Sequence, residues 1–179
     1  MVKNTLKKIG ILGGSFDPPH IGHLFVSKKS LKLLKLTKVI WAITKKNPLK
    51  KSPFFSFTQR KKMCRKIING HKRIQLKHYE DKLKSKTSVS LVSFLKKNNK
   101  YKIFFIIGSD NLINFHKWKN YKKLLNMCNL VVFSRKGFDT KAKKSVIMKH
   151  LKKENIKFLN NLKINISSTK IRNKVINGN

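Results

Sequence analysis

The sequence predicts an α/β chain: a doubly wound, mostly parallel sheet with helices on both faces, organised as a single domain over 1–179. Three observations predict it. Short apolar, β-branched runs alternate with segments whose apolar residues recur at helical spacing. No linker, repeat or low-complexity stretch divides the chain. A length of 179 residues is enough to bury a sizeable core in one domain. Strands are expected at 9–12, 39–43, 74–76, 103–107 and 130–133, with a weaker one at 164–166. Helical patterns fall at 24–36, 58–68, 88–96, 121–127, 142–153 and 169–176. In sheets of this kind, ligands gather beyond the carboxyl ends of the strands.

The first strand candidate runs into Gly13-Gly14-Ser15-Phe16-Asp17-Pro18-Pro19-His20-Ile21-Gly22-His23. Two glycines at a strand end let backbone N–H groups approach a ligand with no Cβ in the way. The helix that follows aims its N-terminal donors and dipole at the same place, which favours an anion. His20 and His23, three residues apart where that helix begins, can share one side. Together these features suit a polyphosphate. A Gly-Gly turn followed by Pro18-Pro19 also reads as a plain strand-to-helix connection, since Pro is favoured at helix starts. Neither G-x-G-x-x-G nor a Walker A pattern is present.

The second strand candidate leads into 45–57, the longest irregular stretch, with Pro48 and Pro53 inside it. It reads as a substrate loop or as an ordinary surface loop. The fourth is followed by Gly108-Ser109-Asp110-Asn111-Leu112 and then Phe115-His116-Lys117-Trp118. Arg135 comes just after the fifth. Ile166-Ser167-Ser168-Thr169-Lys170-Ile171-Arg172 opens the last helix, where Ser168 and Thr169 are expected to cap it and Arg172 lies one turn further along. Three of these segments follow strand candidates directly, so they converge on one edge of the sheet.

The first segment resembles the signature of the H-x-G-H nucleotidyltransferases, and the spelling His20-Ile21-Gly22-His23 is also that of class I aminoacyl-tRNA synthetases. Gly108 to Leu112 with the Phe115-to-Trp118 element, and the run from Ile166 to Arg172, are similar to the G-x-D-x-L, F-x-x-W and I-S-S-T-x-I-R elements of bacterial nicotinate-nucleotide adenylyltransferases. The resemblance implies a Rossmann-like fold and adenylyl transfer from ATP to nicotinate mononucleotide. It implies catalytic roles for His20, His23 and Arg172. It puts ATP against Gly13, Gly14, Ser15, Phe16, His20, His23, Gly108, Asp110, Ser168, Thr169 and Arg172. The mononucleotide would meet Asn47, Lys50, Thr87, Trp118 and Arg135, with Trp118 stacked on the pyridine ring and Asp110 on the ATP ribose. Mg²⁺ would ride on the ATP phosphates with no dedicated protein ligands. One departure stands out: where the family often has Tyr-Thr-x-x-Thr-Leu, this chain has Lys86-Thr87-Ser88-Val89-Ser90-Leu91, which leaves acceptor selectivity open. Phosphopantetheine or nicotinamide mononucleotide are the alternative acceptors. Relatives often carry a further helix beyond the position of Asn179, so oligomeric state is also left open.

Composition adds bounds. Forty-four basic residues against 6 acidic give a net charge of +38, a field that attracts polyanions without sequence preference. The basic residues are nearly all Lys, accompany abundant Asn and Ile, and are spread along the chain, as an AT-rich coding sequence would produce. Nucleic-acid association is therefore expected to be non-specific if it occurs, and a basic RNA-binding module is the competing class. No apolar run reaches membrane-spanning length, and the first eight residues lack the core of a signal peptide. Cys64 and Cys128 are too few and too far apart for a disulfide framework or zinc site, and point to buried thiols in a reducing cytoplasm.

Overall fold

A computed structural model describes residues 6–47, 49, 52–98, 100–149, 155–160 and 166–178. In chain order the elements are β1 (Lys7–Gly14), α1 (Ile21–Leu33), β2 (Lys38–Ile43), α2 (Phe57–Ile68), β3 (Ile74–Lys77), α3 (Glu80–Leu83), α4 (Ser88–Asn98) and β4 (Tyr101–Gly108). They continue with α5 (Ser109–Ile113), α6 (Tyr121–Met127), β5 (Asn129–Phe133), α7 (Asp139–Lys143), β6 (Ile156–Leu159) and α8 (Ser168–Ile176). Single 3₁₀ turns occupy Phe115–Lys117 and Val146–Lys149.

The strands form one sheet in the order β3-β2-β1-β4-β5-β6, and every neighbouring pair is parallel. The chain winds outward from β1 in one direction and then restarts at β4 in the other. That switch opens a crevice above the carboxyl ends of β1 and β4. Alternate residues of the strands feed two cores, as a period of two requires. Ile9, Ile11, Ile40, Phe105, Leu130 and Val132 belong to one, together with Val92 and Leu95 of α4 and Leu124 of α6. Leu12, Val39, Trp41, Phe104, Ile106 and Val131 belong to the other, with Leu24 of α1 and Cys64 of α2. Gly10 is a steric necessity here. A Cβ on it would stand 2.9 Å from the Cδ1 atoms of both Ile106 and Leu36.

The face that α1 buries is Gly22, Leu24, Ser27 and Ser30, mostly small residues that let it lie close to the sheet. The indole N–H of Trp41 donates to Ser27 Oγ at 2.8 Å, and Ser27 Oγ donates to the His23 carbonyl at 2.9 Å. These bonds satisfy polar atoms that would otherwise be buried at a cost of about 1–3 kcal/mol each. At the start of α2, Ser56 Oγ accepts from the Gln59 N–H and the Gln59 side chain accepts from the Ser56 N–H, a reciprocal cap.

Two expected elements are corrected. The sixth strand among the described residues is Ile156–Leu159, which was not expected; of the strand expected at 164–166, Ile166 has no regular structure, and 164–165 lie outside the described residues. The helix expected at 142–153 is instead α7 followed by the 3₁₀ turn at Val146–Lys149, because Ala142 and Ile147 both turn into the core from separate short pieces. Positions 150–153 of that expectation are not described.

Candidate active site

The first motif turns sharply out of β1. Phe16 adopts a left-handed conformation with φ of 48°, unusual for an aromatic residue. Its ring is buried and stacked on Trp41 with centroids 4.9 Å apart and planes at 13°, which offsets the backbone strain. His20 is the N-cap residue of α1 in extended conformation. Its backbone N–H donates to His23 Nδ1 at 3.1 Å. That bond requires Nδ1 to be the lone-pair nitrogen, so the proton of neutral His23 sits on Nε2. The two imidazoles lie with centroids 3.9 Å apart.

Gly22 serves the histidine, which its place in the sequence does not reveal. A Cβ there would fall 2.8 Å from His20 Nδ1 and 2.9 Å from Cε1. Burial, reinforced by the positive charge of Arg135, lowers the His20 pKa from 6.5 to about 4. His20 is therefore a neutral donor near pH 7. In the unfolded chain it would titrate near 6.5, so the unfolded state binds more protons between pH 6.5 and 4. Stability is then fully present above 6.5 and falls by on the order of 3 kcal/mol as pH drops to 4. Thermal melts across that window should show a decline that is shallower in His20→Asn. An identical decline in both proteins would mean that His20 is not the group responsible.

The last segment closes on the first. Here the cap differs from expectation: Ser167 Oγ, not Ser168 or Thr169, accepts the Lys170 N–H at 3.2 Å. Ser168 Oγ is turned away to donate to the Pro18 carbonyl at 2.9 Å. Thr169 Oγ1 accepts from Arg172 Nη2 at 3.2 Å. Arg172 Nη1 donates to the Asp17 carbonyl and stands 3.6 Å from Asp17 Oδ2. The N-terminus of α8 is thereby held against the loop after β1.

At the end of β4, a Cβ on Gly108 would sit 2.4 Å from Asp110 Oδ1, so this glycine makes room for the carboxylate beside it. Asp110 Oδ2 accepts from Arg135 Nη1 at 2.6 Å, while Oδ1 is buried with no hydrogen-bond partner. The resemblance assigns these two residues to different substrates, yet they meet directly. The Arg135 segment is held from behind by Asp139. Its Oδ1 accepts the Arg135 N–H at 3.0 Å, and its Oδ2 accepts from Ser134 Oγ. Burial raises the Asp139 pKa, but these hydrogen bonds outweigh it and hold the carboxyl below its usual range. Trp118 stacks on Phe115 with centroids 4.7 Å apart and planes at 20°. Phe105 meets the same indole at a steep angle, with centroids 6.0 Å apart and planes at 84°.

One cavity of about 1030 Å³ opens among these groups. Gly13, Gly14, Ser15, Phe16, His20, His23, Gly108, Asp110, Ser168, Thr169 and Arg172 line it, and so do Asn47, Thr87, Trp118 and Arg135. Lys50 lies outside the described residues. Thr87 Oγ1 accepts the Ser90 N–H at 3.2 Å at the start of α4, and Asn47 Oδ1 accepts the Leu49 N–H at 2.9 Å. Lys86 also lines the cavity.

Sequence reasoning missed the groups that shape the walls. Asp17 accepts the N–H groups of Phe54 and Phe55 at 2.8 and 2.9 Å, tying the 44–56 segment to the first motif. Its place inside the first motif, as one of only six acidic residues, was the signal. Arg60, fully buried, had none. Cys64 and Cys128 are free and buried, and burial pushes both thiols up to about 12. Among the described residues no group of three or more His, Cys, Asp or Glu could hold a metal ion, and no helix is long and apolar enough to cross a membrane.

Residues 11–174 match the family model described as cytidylyltransferase-like. The chain is 47% identical to a protein of Pelagibacter ubique named "probable nicotinate-nucleotide adenylyltransferase", over 92% of each chain. It is 38% identical to a protein of the same name from Fusobacterium nucleatum subsp. nucleatum, over 95% of this chain and 88% of the other. A solved structure of Plasmodium falciparum nicotinic acid mononucleotide adenylyltransferase complexed with NaAD superposes with a TM-score of 0.73 at 25% identity, covering 93% of this chain and 83% of that one.

Proposed function

We propose that this chain, which belongs to the cytidylyltransferase-like family and within it to the nicotinate-nucleotide adenylyltransferases, transfers the adenylyl group of ATP to nicotinate mononucleotide, yielding nicotinate adenine dinucleotide and pyrophosphate in NAD biosynthesis. One observation carries the reading. The adjacent His20–His23 pair, the N-terminus of α8 with Arg172, and Trp118 share one cavity. Its volume of about 1030 Å³ stands at the upper end of small-molecule sites, roughly 300–1,000 Å³. That suits two nucleotides bound at once.

The chemistry follows from the groups available. An oxygen of the mononucleotide 5′-phosphate attacks the α-phosphorus of ATP, and the bond to the β-phosphate oxygen breaks. The nucleophile is already an anion, so no base need take a proton. What the protein supplies is alignment and neutralisation of charge that grows on the α-phosphoryl and departing pyrophosphate. His23 donates through Nε2–H, and neutral His20 stands beside it as a second donor. Arg172 and the first N–H groups of α8 receive the pyrophosphate end. Mg²⁺ enters as part of the ATP substrate, held by phosphates and water.

Asp110 binds the ATP ribose and Arg135 the mononucleotide. Trp118 takes the pyridine ring, and the Lys86 ammonium near Thr87 draws the nicotinate carboxylate. Asn47 and Lys50 complete the mononucleotide side. The whole chain acts as one nucleotidyltransferase domain in a reducing cytoplasm, a setting that suits its two buried free thiols. Nucleic acid binds only non-specifically to so basic a surface.

Chromatography after mixing the protein with ATP, Mg²⁺ and each mononucleotide tests the reading. Dinucleotide is expected from both, faster from the nicotinate form. A preference for the amide would keep the mechanism and reverse the role of Lys86. No dinucleotide from either, with the protein folded, overturns the assignment.

A further inference from the structure

Arg60 is buried to 1% exposure beneath the cavity wall, its guanidinium lies over the Phe57 ring at 5.4 Å, and every hydrogen-bond partner it has is a backbone oxygen. Nη1 donates to the carbonyls of Ser15 and, at 2.9 Å, Thr44. Nη2 donates to the Lys45 carbonyl at 2.8 Å, and Nε to the Phe55 carbonyl at 3.1 Å. Ser15 lies in the loop between β1 and the His20–His23 pair. Thr44, Lys45 and Phe55 are the two ends of the segment that joins β2 to α2 and carries Asn47. One planar group therefore joins three separate pieces of backbone, two of which face opposite substrates in the reading above.

Asp17 closes the same junction from the other side through its bonds to the Phe54 and Phe55 N–H groups. Burying a cation costs several kcal/mol unless it is fully hydrogen-bonded. Four carbonyls take four of the five N–H donors of the guanidinium, and a lysine ammonium, with three tetrahedral donors, does not match them.

We infer that Arg60 is a positioning residue that fixes the phosphate loop and the acceptor loop relative to each other, so that the two reacting phosphates meet in line. It touches neither substrate. A misplacement of about 1 Å between bound reactants costs on the order of 10²-fold in rate. Loss of the clasp should therefore fall on kcat and leave affinity for ATP largely intact. The kinetic part of this inference rests on the proposed reaction; the structural part does not.

The test uses the full chain at about 15 °C, with folding checked by circular dichroism. Arg60→Ala is expected to lose about 10²-fold in kcat with the KM for ATP within threefold of the parent. Tens of millimolar guanidinium should restore part of the loss, and methylammonium should not. Arg60→Lys, which keeps charge and bulk should Arg60→Ala fail to fold, is expected to recover less than a tenth of the parent kcat. Hydrogen exchange at residues 14–17 and 52–56 should quicken in either folded variant. A folded Arg60→Lys with parental kcat and parental exchange overturns the inference. So does a folded variant with a lower melting temperature but an unchanged kcat, which is the mark of a purely structural group. If the parent makes no dinucleotide, the proposed reaction fails by itself, and exchange at those two segments still decides whether the clasp exists.

Discussion

His23→Asn is expected to lose at least ~10²-fold in kcat while the protein stays folded, the scale for removing one donor to transition-state charge. The choice of Asn follows from the hydrogen bond that orients the ring. His23 Nδ1 accepts the His20 N–H at 3.1 Å, and an Asn Oδ1 can occupy nearly the same position and accept the same bond. What Asn cannot replace is the Nε2–H on the far side of the ring. His23→Gln reverses the arrangement: its amide nitrogen reaches toward the Nε2 position, so it should keep more activity than Asn. His23→Ala would confuse the issue, because it also orphans the His20 backbone donor, whereas all three variants lose the ring contacts to Phe16 and Trp41. Steady-state kinetics on the three folded variants decide it. Full turnover in His23→Asn would remove the donor role.

Gly22→Ala is expected to separate stability from activity. Within a helix, Ala is favoured over Gly by about 1 kcal/mol, and position 22 is the second residue of α1. On local grounds the variant should melt no lower than the parent. The added methyl, however, would stand within 2.9 Å of two atoms of the His20 imidazole and 3.1 Å from Ile166 Cγ2. His20 cannot retreat freely, since its ring lies 3.9 Å from that of His23. The ring must swing out of line, and turnover should fall by about 10-fold to 10²-fold. A kcat equal to the parent's would show that the placement of His20 is not what this glycine protects.

The four inner strands, β1, β2, β4 and β5, were legible because parallel strands buried on both faces must be apolar, which leaves runs such as Ile103 to Ile107 unmistakable, while β3, at one edge, kept only Ile74 and Leu76 as its apolar signal. The sixth was not. Ile156–Leu159 sits at the sheet edge with Lys157 and Phe158 exposed, so it needs no continuous apolar run to mark it. The short helices α3 and α5 escaped because pieces of four and five residues are too brief to show a period.

Within the site, His20, Gly108 and Arg172 were readable because each belongs to a contiguous motif after a strand. Their local purpose was not. That Gly22 and Gly108 shelter the His20 ring and the Asp110 carboxylate depends on side-chain geometry, and glycine carries no mark of its neighbour. The junction at Arg60 was invisible for a stronger reason. Its partners are carbonyls, which every residue possesses, so no pattern of residue types records them.

That same fact bears on how the chain tolerates its own composition. It has five arginines, at 60, 65, 73, 135 and 172, in a background of lysine. Four of them use the fork on a fixed oxygen: Arg60 on four carbonyls, Arg73 on those of Leu36 and Thr37, Arg135 on Asp110, and Arg172 on the Asp17 carbonyl. Where a positive charge alone suffices, lysine serves, and codon drift meets no resistance. Where planar geometry is required, drift from arginine to lysine breaks a contact, and the arginine stands. The contacts of Arg60 and Arg73 fall on backbone carbonyls, so they place no demand on the side chains of the residues they grip. Under mutational pressure, the shape of this cavity is kept by a handful of guanidinium groups while the sequence around it wanders.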